Sequence, residues 1–197
     1  MARYTDDRAF TDCIHKNIAI PQIYNSIGWQ KVNLEQEFAE QIDIYKGIDY
    51  VFRDENGELK TVQERFRESK YQNYSDFTIR YRRDENPHAA RRESEYYKMK
   101  AGYFTYGITN CLKSNLAQCT DFIKYAVIDL KKVYEKIDQG LIVIRDNKEN
   151  KCKIVDNKII CPIKHNHDGS SSFFPIEIPF LVRLWGDEII ISQKGFL

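Results

Sequence analysis

The sequence has no long apolar run and almost no net charge. None of its hydrophobic stretches approaches the roughly 20 residues of a membrane-spanning helix, so we expect no membrane partner. The formal net charge of the 197-residue chain is +1, which excludes the globally basic surface of many nucleic-acid-binding proteins. Binding to nucleic acid would therefore require a local basic patch.

The cysteines follow no recognisable redox or metal-binding pattern. Their number is odd and none of them lies in a Cys-x-x-Cys motif (Cys13, Cys111, Cys119, Cys152 and Cys161). No secretory signal precedes them, so we expect reduced thiols in a cytoplasmic protein.

What the chain does have is enough hydrophobic residues, 42% of the total, for one buried core. The order of predicted elements is helix, hairpin, strand, helix, strand, strand, helix, which indicates an α/β fold with a mixed central sheet flanked by helices. We divide it into an N-terminal arm (1–32), an α/β core (33–145) and a β-rich C-terminal extension (146–197) packed on the same domain.

A hairpin between Gly47 and Arg67 is the clearest local signal. Asn56-Gly57 separates two runs of β-branched and aromatic residues, and this pair is typical of a two-residue hairpin turn. Such a turn would place Asp49 directly opposite Glu64, about 5 Å apart at Cβ.

Two carboxylates facing each other destabilise a strand pair unless a cation lies between them. Mg²⁺ suits this position because it takes oxygen ligands and keeps coordination sites for water and phosphate oxygens. The alternative is a hairpin whose carboxylates point to water, or a one-residue bulge that moves Glu64 to the other face of the sheet.

The order of elements and the strand sequences Gly-Ile-Asp-Tyr (47–50) and Val-Gln-Glu-Arg-Phe-Arg (62–67) resemble the PD-(D/E)xK nuclease superfamily. The resemblance implies a restriction-endonuclease-like core and a metal-dependent endonuclease of restriction or phage type that hydrolyses DNA phosphodiester bonds. It also implies Mg²⁺, or Mn²⁺, as cofactor, and a homodimer for a double-strand cut. Asp49 matches the first acid of the motif, and Glu40 on the preceding helix is a further candidate metal ligand.

The second half of the motif departs from the family pattern. One alignment places Gln63 and Arg65 at the acid-x-lysine positions, and the other uses Glu64 as the acid but leaves Phe66 where the lysine should stand. We favour Glu64, with the missing cation supplied by Lys98 or Lys100. The predicted catalytic residues are Asp49, Glu64, Gln63 and Arg65, and the predicted metal ligands are Asp49, Glu64 and Glu40.

Basic residues interleaved with tyrosines follow the hairpin. This combination fits a surface that tracks a phosphate backbone, and the candidate nucleic-acid-binding residues are Arg67, Lys70, Arg80, Arg82, Lys98 and Lys100. The absence of a clean acid-x-lysine motif favours the alternative of a non-catalytic nucleic-acid-binding protein on a degenerate nuclease fold.

Overall fold

The computed structural model describes residues 2–82, 94–146, 149–167 and 171–196. The α-helices in these ranges are α1 (Ala2–Ile14), α2 (Gln36–Lys46), α3 (Glu95–Lys98), α4 (Leu130–Asp138) and α5 (Ile178–Trp185). The strands are β1 (Gln30–Lys31), β2 (Tyr50–Arg53), β3 (Leu59–Arg67), β4 (Asp76–Arg82), β5 (Tyr103–Thr109), β6 (Phe122–Asp129), β7 (Ile142–Ile144), β8 (Lys153–Val155), β9 (Lys158–Cys161), β10 (Lys164–His165), β11 (Ser172–Glu177) and β12 (Ile190–Lys194).

The fold is mixed α/β, with a central six-stranded mixed sheet flanked by helices. The strand order is β1-β2-β3-β5-β6-β12, and β3 runs parallel to β5 whereas the other neighbours are antiparallel. A parallel pair needs a crossover connection, and here the crossover contains β4 and α3. Two three-stranded sheets, β10-β11-β4 and β7-β9-β8, complete the structure.

The N-terminal segment covers one face of the central sheet. Phe10, Ile14 and Ile18 are at most 1% exposed and pack in the same cluster as Val62 and Phe66 of β3. The chain continues from α1 into a π-helical segment, His15–Tyr24, before it reaches β1. The predicted arm is therefore a full layer of the fold.

The predicted register of the β2–β3 hairpin is wrong by one residue. The strands pair Tyr50 with Val62 and Arg53 with Leu59, so the register sets Asp49 opposite Gln63. Glu64 then points to the other face of the sheet, as expected when a strand shifts by one residue.

The side chain of Asp54 explains the shift. Its Oδ1 accepts hydrogen bonds from the backbone N–H groups of Asn56 (3.0 Å) and Glu58 (2.9 Å). This closes a three-residue loop in which Gly57 has a φ of +82°, whereas Asn56 keeps a negative φ. A type I turn followed by a glycine bulge has these features; the predicted two-residue turn would need positive φ at both residues.

The prediction that all cysteines are reduced is also wrong. Cys111 and Cys119 form a disulfide with a Cα–Cα distance of 5.0 Å, whereas Cys13, Cys152 and Cys161 are free. The bond spans the connection between β5 and β6. Disulfides are more common in oxidising compartments, so this one does not favour the expected cytoplasmic location. None of the described helices combines the length and apolarity needed to cross a membrane.

Replacing both Cys111 and Cys119 with Ser should lower the free energy of unfolding by about 2.5 kcal/mol, because closing a loop of this short length removes a modest amount of chain entropy from the unfolded state. Urea denaturation measures the loss, and Cys13→Ser is the control that should leave stability within about 0.5 kcal/mol. Thiol titration of the unreduced, denatured protein should find the three free cysteines; five reactive thiols would contradict the bond.

Candidate active site

An acidic cavity of about 550 Å³ lies between α1, α2 and the β2–β3 hairpin. In the described part of the chain, the charged residues that line it are one arginine and five acids (Arg8, Asp12, Glu40, Asp43, Asp49 and Glu64), and the carboxylate of Glu64 is itself fully buried. A negative potential in such a concave site repels anions and concentrates cations. The acidic cavity therefore favours a cation over a free phosphate group.

Asp49 reaches the cavity because α2 ends abruptly beside it. Gly47 has a φ of +59° and its N–H caps the helix on the carbonyl of Asp43 (3.0 Å). A Cβ at Gly47 would also lie only 3.3 Å from Oε1 of Gln63. Glycine therefore suits the position where the helix ends and the chain turns into β2.

The carboxylate of Asp49 is held by β3. Its Oδ2 accepts hydrogen bonds from Nε2 of Gln63 (2.9 Å) and from the backbone N–H of Glu64 (2.7 Å). Burial is the largest of the effects that together raise the pKa of Asp49 from 3.8 to about 8; the charges of Asp43 and Glu64 also raise it, and the backbone hydrogen bond from Glu64 lowers it. Burial and neighbouring acids both disfavour the charged form of this carboxyl group. A bound cation offsets both effects and so stabilises the carboxylate.

Glu64 faces away from Gln63, toward the N-terminal layer, and its side chain is fully buried. Both of its carboxylate oxygens lie 3.0 Å from Nδ1 of His15, and Oε1 accepts a 2.5 Å hydrogen bond from the hydroxyl of Tyr24. The same hydroxyl lies 2.9 Å from Oγ1 of Thr105. The carboxylate is thus satisfied by protein groups.

His15 connects this buried group to the protein surface. Its Nε2 lies 3.1 Å from Nζ of Lys31, and its ring stacks on Tyr50 at 3.5 Å between centroids. Because an ammonium group only donates, Nε2 accepts from Lys31 and Nδ1–H donates to Glu64. The result is a continuous chain of hydrogen bonds, Lys31–His15–Glu64–Tyr24, that links β1, the π-helical segment and β3.

Sequence reasoning identified Glu64 but missed the rest of this chain. His15 and Tyr24 begin and end the π-helical segment, and π-helical turns are frequent at functional sites. Neither residue belongs to a sequence motif, however, so no local signal could have found them.

The cation predicted to replace the motif lysine is not in the cavity. The guanidinium of Arg65 pairs with Glu95 (2.7 Å) and donates to Oγ1 of Thr78 (3.1 Å). Lys98 donates through Nζ to the carbonyl of Ile44 (2.8 Å), near the end of α2.

None of the six predicted nucleic-acid-binding residues is among the described residues that line the acidic cavity. Arg67 lines a second cavity, and the guanidinium of Arg82 lies over the ring of Tyr81. Arg80 is exposed on β4, while the backbone N–H of Lys100 donates to the carbonyl of Lys46. The basic residues and the acidic cavity are therefore separate features of the surface.

The donors in the acidic cavity suit a hydrated divalent cation better than a closed metal site. Within the described residues, no three His, Cys, Asp or Glu side chains are grouped closely enough to hold a metal ion. Mg²⁺ is, however, commonly bound through one or two carboxylates, with waters and substrate phosphates as the other ligands. Asp49 fits this role together with Glu40 or Asp43 of α2, whereas Glu64 is already engaged by His15 and Tyr24.

Comparison with known proteins gives no match: no family model, no curated protein and no solved structure is significantly similar to this chain. Function has to be inferred from the site itself.

Proposed function

We propose that the protein is a metal-dependent endonuclease that hydrolyses DNA phosphodiester bonds at the acidic cavity, on a restriction-endonuclease-like core. The observation that carries the proposal is the placement of Asp49. It lies directly before β2, accepts two hydrogen bonds from β3, and shares the cavity with the carboxylates of α2. The resemblance to PD-(D/E)xK nucleases implies the same location for the first acid of the motif.

Asp49 and Gln63 have distinct tasks in this proposal. The two hydrogen bonds to Asp49 in the described structure both involve Oδ2, so Oδ1 is the oxygen that can face a ligand. Gln63 is a positioning residue, because its amide fixes the carboxylate without adding charge. When bound, Mg²⁺ or Mn²⁺ would neutralise phosphate charge and lower the pKa of a bound water.

The residues around Asp49 prepare it for cation binding. Burial, and to a smaller extent the neighbouring carboxylates of Asp43 and Glu64, raise its pKa, so it must release a proton when a cation arrives. Arg65 contributes no base, since a guanidinium stays protonated at neutral pH, and its pairing with Glu95 gives it a structural role in orienting α3 against β3 and β4.

One observation favours a second candidate function, a nucleic-acid-binding protein without catalysis. Among the described residues, no lysine lines the acidic cavity, although the resembled family places one beside its metal. Under this alternative the fold binds DNA but does not cut it. In either case we propose DNA as the partner and a homodimer as the form that could act on both strands.

The deciding experiment is incubation of the wild-type protein with supercoiled plasmid and with single-stranded DNA in Mg²⁺, Mn²⁺ or EDTA. We expect nicking in at least one metal and none in EDTA. If the protein binds DNA but cuts neither substrate in either metal, the non-catalytic alternative replaces the nuclease.

Glu40→Gln tests the contribution of α2 to cation binding. We expect the Mg²⁺ concentration for half-maximal cleavage to rise about tenfold, which corresponds to losing about 1.4 kcal/mol of binding from one carboxylate ligand. Glu37→Gln is a matched control, because Glu37 is exposed on the same helix and is not among the cavity-lining residues. Equal Mg²⁺ requirements for the two variants would exclude Glu40 from the site.

A further inference from the structure

A second cavity, of about 450 Å³, opens where β3 ends and β4 begins. Its lining includes Arg67, Tyr71, Tyr74, Lys113, Lys164 and Phe173, and we call it the basic cleft. It shares none of its described lining residues with the acidic cavity. The basic cleft is therefore a separate site.

The charge of the basic cleft is opposite to that of the acidic cavity. Among the described residues, three basic residues line it (Arg67, Lys113 and Lys164), against one acid, Asp76. Glu177 lies beside this acid in the β4–β11 pairing, and its pKa is raised by burial and by Asp76. The potential inside the basic cleft thus favours an anionic group.

Arg67 is held in a position suited to phosphate. Its guanidinium lies 5.5 Å from the ring centroids of both Tyr71 and Tyr106. Among the described residues it takes part in no salt bridge, so its fork of donors is not used by a carboxylate. A guanidinium fixed against aromatic rings loses little conformational entropy when it binds a phosphate in bidentate fashion.

Aromatic rings supply the rest of the basic cleft. The rings of Tyr71 and Tyr74 pack edge to face, with 6.0 Å between their centroids. Phe173 of β11 also lines the basic cleft. Tyr74 is 52% exposed, so a ligand in the basic cleft can reach its ring. Exposed tyrosines beside a basic groove are the usual stacking platforms for unpaired bases.

These features together define the chemistry of the ligand. The cationic side chains disfavour a purely apolar ligand. An inorganic anion would not contact the aromatic rings, and it would fill only part of the volume. The size lies within the range of small-molecule pockets. We infer that the basic cleft binds a nucleotide, with its phosphate at Arg67 and Lys164 and its base against Tyr74.

The nucleotide can come from two sources, a free mononucleotide or one unit of a single strand. The inference does not rest on the proposed nuclease activity. Binding is therefore measured in EDTA, where the acidic cavity holds no divalent cation and cleavage does not occur. A failure of nucleotide binding would leave the cleavage experiment unaffected.

Isothermal titration of the full-length protein with nucleoside monophosphates, nucleosides, inorganic phosphate and a hexamer of single-stranded DNA tests the inference. Nucleosides and inorganic phosphate should each bind at least about tenfold more weakly than the nucleotide, because a nucleoside lacks the phosphate and inorganic phosphate lacks the base. Tighter binding of the hexamer than of the mononucleotide identifies a strand as the source, and the reverse order identifies a free nucleotide. Inorganic phosphate binding as tightly as the nucleotide would overturn the proposal.

Two variants test separately how the base and the phosphate contribute to the affinity. Tyr74→Ala should weaken nucleotide binding about tenfold through lost stacking, with Tyr45→Ala, a tyrosine 72% exposed on α2, as the matched control. Lys164→Gln should weaken binding about fivefold and reduce its salt dependence, with Lys158→Gln, exposed on β9, as control. Wild-type affinity in both Tyr74→Ala and Lys164→Gln, or no binding of either nucleotide or hexamer by the wild type, would exclude the site.

Discussion

Asp49→Asn is expected to abolish DNA cleavage and, at pH 8, to make the folded protein more stable than the wild type. Loss of a metal-binding carboxylate removes several kcal/mol of transition-state stabilisation, so the cleavage rate should fall by about 10³-fold or more. Asparagine has nearly the same shape, and its Oδ1 can accept the hydrogen bonds from Gln63 and from the backbone of Glu64 that now reach Asp49. The fold should therefore be retained.

The gain in stability follows from the pKa of Asp49. Burial raises this pKa from 3.8 to about 8, so between these pH values the folded state binds more protons than the unfolded state. The contribution of Asp49 to stability is then most favourable below about pH 4 and is lost as the pH rises toward 8. The asparagine side chain does not titrate, so its contribution to stability does not change with pH.

We expect Asp49→Asn to exceed the wild type by about 1–3 kcal/mol at pH 8, less than the full shift would give because the side chain stays open to water in the cavity. Urea denaturation at pH 5, 6.5 and 8 measures the difference. Asp146→Asn, at an exposed acid, is the control and should match the wild type at each pH.

Mg²⁺ provides an independent check. It should stabilise the wild type at pH 8 but not Asp49→Asn, and its affinity for the wild type should rise with pH because binding displaces the proton of Asp49. Equal stability of the two proteins at pH 8, or equal cleavage rates, would contradict the role given to Asp49.

Several helices and strands could be predicted because their signals are local, whereas α5 (Ile178–Trp185) follows the last helix of the predicted order and was missed. Leu34, Phe38, Ile42 and Tyr45 recur at helical spacing, which is the local signal for α2 (Gln36–Lys46). Phe77, Ile79 and Tyr81 alternate with polar residues, which is the local signal for β4 (Asp76–Arg82). The hairpin register failed for an equally local reason. The carboxylate of Asp54 selects a longer loop, and this competes with the turn that Asn56-Gly57 favours by itself.

The candidate site could be predicted only where it is built from neighbouring segments. Asp49, Gln63 and Glu40 belong to one helix and the hairpin that follows it, and they lie around the same cavity. His15 and Tyr24 reach Glu64 across 49 and 40 residues of sequence. No periodicity or motif specifies that contact, because it depends on how the N-terminal layer packs on the sheet.

That packing makes the loss of Glu64 strongly destabilising. Glu64→Ala leaves the Nδ1–H of His15 and the hydroxyl of Tyr24 buried without their acceptor, and each such group costs about 1–3 kcal/mol. Urea denaturation should show this loss, whereas Glu58→Ala, at an exposed acid of the same hairpin, should change stability by about 0.5 kcal/mol or less.

A double-mutant cycle separates the Glu64–His15 contact from general damage to the core. Because the two side chains touch, the cost of His15→Ala should be at least about 1.5 kcal/mol smaller in the Glu64→Ala background than in the wild type. Additive losses would show that the contact itself contributes little.

Glu64→Gln, which keeps an acceptor oxygen but removes the charge, adds a second readout at the acidic cavity. Since the charge of Glu64 raises the pKa of Asp49, the pH at which Mg²⁺ binding saturates should move below that of the wild type. The buried chain and the metal-binding carboxylate would then be coupled through β3, with Glu64 tuning the protonation of Asp49 from the opposite face of the strand.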